Sequence, residues 1–272
     1  MNILEVRNLS VVLKAGKQKK TLVDDVSFQV APGECVGVLG ESGSGKSMTS
    51  KAVLGLLDRN FKVSGQAVFE GQDLLKKGRE EMRRIRGRRI AMVLQNPMTC
   101  FDPLYRVGNQ MGETFKTHTD LSSAQIRDAL LAVLEKMRIR EPAEALEKYP
   151  HQLSGGMLQR IMIGLAMALK PALLIADEPT TAIDSITQYE ILEEFWRIKS
   201  EHNTAMLFIT HDLGAASRVA DRLVVMNQGR IVDEGDFGHI INEAKDPYTR
   251  LLVEKRIAVM DQYRRRVRGG NA

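Results

Sequence analysis

The sequence predicts an α/β fold in which a helical segment is inserted between strands. Three observations support this prediction. The glycine-rich stretch GESGSGKS lies between a short apolar run typical of a strand, 35–39, and a run with helical spacing. Further apolar runs typical of buried strands occur in the second half of the chain. Between these groups, residues 104–150 show a helical pattern.

The elements before the insertion follow from alternation and turn residues. Residues 3–13 and 25–30 are predicted as strands, with Val26, Phe28 and Val30 alternating with polar neighbours, and 47–57 is predicted as a helix. QAVFEGQDL predicts a hairpin, and the apolar run IAMVL predicts a strand that ends at Gln95. The order strand, glycine loop, helix is therefore present near the N-terminus.

The sequence also predicts a helix within the insertion, and strands and a hairpin after it. LSSAQIRDALLAVLEKMRI begins with a capping box from Ser122 to Gln125 and continues with apolar residues at helical spacing. Strand-type runs return at 172–177 and 205–210. The segment 222–235 predicts a hairpin with its turn at Asn227 to Gly229.

The composition is that of a soluble globular protein, with 43% hydrophobic and 27% charged residues in 272. No apolar run approaches the roughly 20 residues of a membrane-spanning helix, and the first residues lack an apolar signal core. We therefore expect the chain to stay in the cytoplasm. Cys35 and Cys100 are too few for a disulfide framework or a metal cluster, and both are expected as reduced thiols, Cys35 within a buried strand.

Two basic runs, 83–89 and 264–268, carry much of the net charge of +5. Such runs can face nucleic acid or anionic lipid, or they can be a solvated surface and a frayed tail. Neither run has interleaved aromatic residues that could stack on bases, which argues against a nucleic-acid channel. We expect no nucleic-acid partner.

The stretch 40–47 matches GxxxxGK[ST] in full. Its glycines let backbone N–H groups converge on phosphates, and the following helix adds its dipole. Lys46 would reach the β- and γ-phosphates, and Ser47 would ligate Mg²⁺. This motif alone does not distinguish an ATPase, a GTPase and a small-molecule kinase. The predicted nucleotide-binding residues of the loop are Gly40, Glu41, Ser42, Gly43, Ser44, Gly45, Lys46, Ser47 and Met48.

Polar side chains follow three of the predicted strands. Asp177 and Glu178 end LLIADE, where Asp177 can hold Mg²⁺ and Glu178 can polarise an attacking water; the alternative is a simple strand-end turn before Pro179. His211 follows 205–210 and is interpreted as a γ-phosphate contact, although a lone histidine is often structural. Gln95 can bond to water or Mg²⁺ in one state and release it in another, which suits a sensor.

A second glycine loop, LSGG at 153–156, precedes a strongly helical segment. Ser154 is its natural N-cap, and a helix N-terminus is an anion site. No predicted strand precedes this loop, so we expect it to grip a nucleotide bound to a second subunit. A helix cap without a ligand is the alternative.

These motifs, in this order and together with TAID at 181–184, resemble those of the ATP-binding subunits of ABC transporters. The resemblance implies a P-loop NTPase (RecA-like) core with an N-terminal antiparallel β-subdomain and an inserted helical signature subdomain. It also implies a head-to-tail dimer, with ATP and Mg²⁺ at the interface. The implied catalytic residues are Glu178, His211, Lys46 and Gln95. The implied Mg²⁺ ligands are Ser47, Gln95 and Asp177. The implied nucleotide contacts beyond the first loop are Ser154, Gly155, Gly156 and Asp184.

The resemblance divides the chain into an ATPase core, 1–95 and 157–240, a helical subdomain, 96–156, and a C-terminal tail, 241–272. It implies several partners: a second ATP-binding subunit (a homologous, different chain), two membrane-spanning permease subunits and, indirectly, an external solute-binding protein. The chain would then be peripheral, on the cytoplasmic face of the inner membrane. NPMTCFDPLYRVG, at 96–108, is the candidate contact with the permease.

Within that family, YPHQLSGGM, IADEPTTAID and DPYTRLL at 246–252 are similar to importers of peptides and nickel. LQR after LSGGM resembles the nickel branch, and di- or oligopeptide import is the alternative. Leu13 stands where many relatives stack adenine on an aromatic side chain, which puts that stacking in doubt. The C-terminal cysteine cluster of many peptide relatives is missing, so no iron–sulfur cluster is expected.

Two rival interpretations remain from other classes. A soluble ABC ATPase that acts on ribosomes or DNA usually has two cassettes in one chain or long coiled coils between its halves, and this chain has one cassette with a short insertion. A regulatory module that binds nucleotide without hydrolysis would not need the intact Glu178 and His211.

Overall fold

The computed structural model describes residues 2–16, 18–181 and 183–256. These residues form two compact units. The helical unit takes its described residues from Met1–Ile3, Val30–Glu34 and Lys76–Leu207, and the strand-rich unit takes its own from Leu4–Gln29, Cys35–Leu75 and Phe208–Ala272. The described part of the chain has no helix whose length and hydropathy would let it cross a bilayer.

The strands are, in chain order, β1 (Leu4–Ala15), β2 (Gln18–Val30), β3 (Cys35–Leu39), β4 (Phe61–Phe69), β5 (Gln72–Asp73), β6 (Ile90–Val93), β7 (Leu173–Asp177), β8 (Ala205–Thr210), β9 (Arg222–Asn227) and β10 (Arg230–Gly235). The helices are α1 (Lys46–Val53), α2 (Arg79–Ile85), α3 (Val107–His118), α4 (Ser123–Lys136), α5 (Pro142–Glu147), α6 (Gly155–Ala168), α7 (Ser185–His202), α8 (Leu213–Val219), α9 (Phe237–Asn242) and α10, whose described part is 247–256.

The strand-rich unit contains one four-stranded sheet and part of a second. The first sheet has the order β2-β1-β4-β5, with β4 antiparallel to both of its neighbours. In the second sheet, β3 runs parallel to β9, and β9 is antiparallel to β10. The apolar side chains of β3 and β9 are buried, which places a core directly below the glycine loop that follows β3.

The helical unit is built around β6 and β7, which run parallel from the pair Ile90 and Leu173 onward. Every residue of β7 is buried, as expected for a strand that is covered on both faces. The helices α3, α4, α5 and α6 pack against one another in this unit. The predicted helical subdomain, 96–156, contains α3, α4 and α5; its boundaries stay a prediction.

Several predicted elements are confirmed. The strands at 172–177 and 205–210 correspond to β7 and β8, and β9 and β10 form the predicted hairpin. The capping box of α4 is also present, because the Ser122 N–H donates to Gln125 Oε1 at 2.9 Å and the Gln125 N–H donates to Ser122 Oγ at 3.4 Å.

Three predicted elements had wrong boundaries, one helix and two strands. The helix predicted at 47–57 ends at Val53, because Gly55 adopts a left-handed conformation (φ +60°), and Leu56 beyond it is exposed. The first two strands are longer than predicted, since Lys-rich, solvent-facing residues hide the alternation at their joined ends. Cys35 is buried in β3 as expected, and Cys100 is a free cysteine in an exposed loop.

Of the two basic runs, only the first, 83–89, lies within the described residues. Arg83, Arg84 and Arg88 are exposed, and with His118 they line a cleft of about 250 Å³ in the helical unit. The second run, 264–268, lies outside the described residues.

Candidate nucleotide site

The glycine loop begins where the buried strand β3 ends, and its first residue has to be glycine. Gly40 has a φ of +155°, and a Cβ built there would lie 2.3 Å from the Met226 carbonyl oxygen and 2.5 Å from Ser44 Oγ. Backbone of the neighbouring strand cannot move away as a flexible side chain could. The loop therefore passes close to β9 and turns sharply into α1.

Inside this loop, the Lys46 side chain is almost fully buried. Its Nζ donates to the carbonyl oxygens of Gly40 at 2.7 Å and Glu41 at 3.0 Å, so the loop wraps around a positive charge. Ser44 Oγ is also buried and has no hydrogen-bond partner among the described residues. The buried Ser44 hydroxyl without a partner and the buried Lys46 ammonium group are both suited to bind the oxygen atoms of a phosphate.

His211 belongs to the same unit and follows β8. With Glu41 and Ser42 it lines a cleft of about 390 Å³. The structure therefore brings His211, the predicted γ-phosphate contact, to one cleft with two residues of the loop. Leu13, at the end of β1, is half-buried, so it offers apolar surface but no aromatic ring.

The acid pair lies in the helical unit, at the end of β7. Asp177 and Glu178 are 4% and 8% exposed, and the backbone of Glu178 is left-handed, with a φ of +48°. Thr181 Oγ1 donates to Glu178 Oε2 at 2.9 Å, and Gln95 Nε2 approaches the same oxygen at 3.4 Å. These contacts fix the orientation of the Glu178 carboxylate. The structure thus joins two predicted residues, Gln95 and Glu178.

Sequence reasoning missed Thr181. The only sequence signal is a hydroxyl residue three positions after the glutamate, within the turn EPTT. Hydroxyl side chains in such turns bond to nearby groups, and here that group is the carboxylate itself.

The second glycine loop starts α6 as predicted. Ser154 Oγ accepts the Met157 N–H at 3.2 Å, which is the N-cap. The space beside Gly155 is open, whereas a Cβ on Gly156 would lie 2.6 Å from Thr187 Cγ2. The first turn of α6 therefore leaves Gly155 accessible to a ligand.

Gln159 joins the second loop to the acid pair within the helical unit. It lies on α6, is fully buried, and its Nε2 donates to the Pro179 carbonyl oxygen at 2.8 Å. Pro179 follows Glu178 directly. A helix that starts with the second glycine loop is thereby bonded to the turn that carries the acids, and this link was also missed from the sequence.

Asp184 is the N-cap of α7. Its Oδ1 accepts the N–H groups of Ile186 at 3.1 Å and Thr187 at 3.0 Å. The hydrogen bond from the Thr187 backbone lowers the pKa of Asp184, so the side chain stays a carboxylate at neutral pH. The predicted interface role of Asp184 stays a prediction.

The oxygen atoms assigned to Mg²⁺ are of the kind that this ion prefers. Ser47 supplies a hydroxyl, Gln95 an amide and Asp177 a carboxylate, and Mg²⁺ takes such hard oxygen ligands together with phosphates and water. The donor set therefore fits Mg²⁺.

Comparison with known proteins agrees with this geometry. The family model described as ABC transporter matches residues 23–181. The metal-staphylopine import system ATP-binding protein CntD of Staphylococcus aureus is 42% identical over 269 residues, which are 99% of this chain and 98% of that protein. The dipeptide transport ATP-binding protein DppD of Haemophilus influenzae is 43% identical over 254 residues, 93% of this chain and 77% of that protein.

A solved structure supports the fold. A dimeric ATP-binding cassette in a post-hydrolysis state, bound to ADP and phosphate, is 25% identical, with a TM-score of 0.77 over 86% of this chain and 98% of that chain. The loop around Lys46, the acids at the end of β7 and the family match all lead to one conclusion. The chain belongs to the ABC transporter family, as an ATP-binding subunit of the importer type that hydrolyses ATP.

Proposed function

We propose that this subunit powers the import of a chelated transition metal, nickel in particular. The observation that carries the proposal is the similarity to a metal-staphylopine import ATPase over nearly the full length of both chains. The LQR sequence after LSGGM favours the same branch. The second candidate is peptide import, which the dipeptide transport relative supports at a similar identity over a shorter segment.

Hydrolysis is assigned to Glu178 as the general base. Its carboxylate is buried and oriented by Thr181 and Gln95, so it can direct a water molecule at the γ-phosphate. Lys46 and His211 would stabilise charge that develops on the transferred group. Mg²⁺, when bound, supplies further neutralisation of the phosphate charge.

The closed state is proposed to be a dimer with a second ATP-binding subunit, in which Ser154, Gly155 and Gly156 contact the γ-phosphate of the partner's ATP. Support comes from the helix start at Ser154 and the open space beside Gly155. Asp184 would lie at the same interface. ATP would then favour closure of the dimer because both subunits bind the γ-phosphate. Loss of the γ-phosphate on hydrolysis would favour opening of the dimer.

The permease contact is proposed at 96–108. Leu104 is 77% exposed and Tyr105 is 56% exposed, and Met98 is exposed as well. Large apolar side chains grouped on a surface loop are typical of a protein-binding surface. Through this loop the subunit would be held at the cytoplasmic face of the inner membrane, and closure would reorient the permease towards an external solute-binding protein.

Uptake measurements in cells that lack the gene test the proposal. Radiolabelled nickel with a metal-chelating ligand and a labelled dipeptide are supplied in parallel, and the strain is complemented with wild type, Glu178→Gln or Glu113→Gln. Glu113 is an exposed carboxylate on α3 and serves as the matched control. Metal uptake that is restored by wild type and the control, and not by Glu178→Gln, supports metal import and the role of Glu178.

Other outcomes decide between the candidates. Uptake of the dipeptide alone would replace the metal proposal with peptide import and keep the ATPase mechanism. Restoration of uptake by Glu178→Gln would remove Glu178 from the role of general base. If neither substrate depends on the gene, the metal and peptide proposals both fail.

A further inference from the structure

The C-terminal helix α10 packs within the strand-rich unit, at the base of the glycine loop. Val253 is 4% exposed and belongs to the same apolar cluster as Leu39 and Leu213. Leu39 is the last residue of β3, directly before the loop, and Leu213 begins α8, two residues after His211. Tyr248 packs against this cluster from the first turn of α10. Apolar burial thus holds α10 next to both functional loops.

The first polar contact from α10 reaches the glycine loop. The backbone N–H of Glu41, the second residue of GESGSGKS, donates to Tyr248 Oη at 2.8 Å. Lys255 Nζ lies 3.7 Å from the Glu41 carboxylate. Burial raises the pKa of Tyr248, so its hydroxyl stays protonated at neutral pH. The first turn of α10 and the last described part of the helix therefore both contact the same loop residue.

A second polar contact reaches the histidine loop. Arg256 Nη2 lies 2.7 Å from Asp212 Oδ1. The same Asp212 oxygen accepts the Gly214 N–H at 2.8 Å and caps α8. Since Asp212 follows His211 directly, Arg256 restrains the backbone that presents the histidine. Lys255 and Arg256 also line the cleft that His211 shares with Glu41.

The local sequence explains why α10 starts where it does. Asp246 Oδ1 accepts the N–H groups of Tyr248 at 2.8 Å and Thr249 at 3.3 Å, which caps the helix. Arg250 donates to the carbonyl oxygens of Ala244 and Lys245, which closes the preceding turn. The motif DPYTRLL therefore builds the cap, the tyrosine and the turn that direct Tyr248 at the glycine loop.

We propose that α10 is a brace that positions the two nucleotide-handling loops of its own chain, with Tyr248 holding the glycine loop and Arg256 holding the histidine loop. This proposal rests on the assignment of those loops to ATP binding and hydrolysis. Tyr248 and Arg256 are positioning residues, since they act through Glu41 and Asp212.

The two contacts should have separable effects. Loss of the Tyr248 hydroxyl frees the loop that binds phosphate, so the KM for MgATP should rise about two- to tenfold, as expected for one neutral hydrogen bond. Loss of the Arg256 charge frees the backbone next to His211, so kcat should fall about three- to tenfold with little change in KM. A general loss of folding would lower the apparent kcat without changing KM, so kcat is expressed per mole of folded, ATP-binding protein.

The experiment uses the full chain. Tyr248→Phe keeps the ring in its apolar cluster and removes only the hydroxyl, and Tyr189→Phe, an exposed tyrosine on α7, is the matched control. ATP binding is measured by calorimetry in a Glu178→Gln background, and hydrogen–deuterium exchange is followed in the peptide 39–46. We expect weaker binding and faster exchange in that peptide only for Tyr248→Phe. For Arg256, kcat should fall in Arg256→Gln and recover mostly in Arg256→Lys, which keeps the charge.

Unchanged exchange at 39–46 in Tyr248→Phe would overturn the brace, and unchanged ATP affinity would overturn its effect on nucleotide binding. Equal loss of kcat in Arg256→Gln and Arg256→Lys would overturn the part assigned to Arg256. The exchange measurement needs no turnover, so it decides the brace even if wild type shows no ATPase activity that depends on Glu178. The absence of ATPase activity that depends on Glu178 would count against the proposed function and not against the brace.

Discussion

Replacing Thr181 by valine should slow ATP hydrolysis by about 5- to 30-fold without weakening ATP binding. Thr181 Oγ1 donates to Glu178 Oε2 at 2.9 Å, and the carboxylate is 8% exposed, so water cannot easily replace the lost donor. A hydrogen bond to a charged group contributes about 1.5–3 kcal/mol, which we reduce to about 1–2 kcal/mol because Thr181 is half-buried. At 1.36 kcal/mol per tenfold change in rate, this free energy corresponds to the stated range.

The assay is steady-state phosphate release at saturating MgATP, with ATP affinity measured separately. Thr181→Ser retains the hydroxyl and should stay within about twofold of wild type, which separates the hydrogen bond from the shape of the side chain. Gln95 Nε2 lies 3.4 Å from the same oxygen and supplies a weaker contact that limits the loss. If Thr181→Val and Thr181→Ser have equal kcat values, the orientation of Glu178 does not depend on this bond.

Two further predictions concern the glycine loop and the basic cleft. Gly40→Ala should abolish ATP binding, since its Cβ would meet backbone at 2.3 Å, whereas Gly16→Ala, which also has a positive φ but open space around it, should bind ATP normally in the same calorimetric titration. Burial, and then the charge of Arg88, lowers the pKa of His118 below its ordinary value, so the protein loses stability as the pH falls through the ordinary histidine range. Arg88→Gln should raise that pKa in an NMR titration of the imidazole, and Arg84→Gln should raise it less.

The sequence predicted those parts of the fold in which one signal dominates. Buried strands such as β7 are uniformly apolar, and the capping box at Ser122 depends on residues three positions apart. The early end of α1 was missed, because Gly55 lies within an apolar pattern and only its left-handed backbone shows that it stops the helix.

The residues of the candidate site also divide into those that the sequence predicted and those that it did not. Motif residues such as Lys46 and Glu178 can be recognised because the spacing of their motifs reflects the chemistry of phosphate binding. Supporting residues follow no such spacing. Thr181 acts across a turn, Gln159 reaches from a helix to the Pro179 carbonyl, and Tyr248 meets a loop more than 200 residues earlier. Tertiary packing creates the pairs of Gln159 and Tyr248, so only the structure reveals them, whereas the Thr181 contact is local and its spacing alone does not single it out.

The left-handed backbone of Glu178 has a consequence for engineering. A residue with a Cβ in this conformation is less stable than glycine by about 1–2 kcal/mol. A search for heat-resistant variants that scores only the folded state would therefore select glycine or asparagine at this position. Such a variant would relieve this backbone strain but lose the carboxylate that Thr181 and Gln95 contact, and with it turnover, so a search of this kind has to hold position 178 fixed.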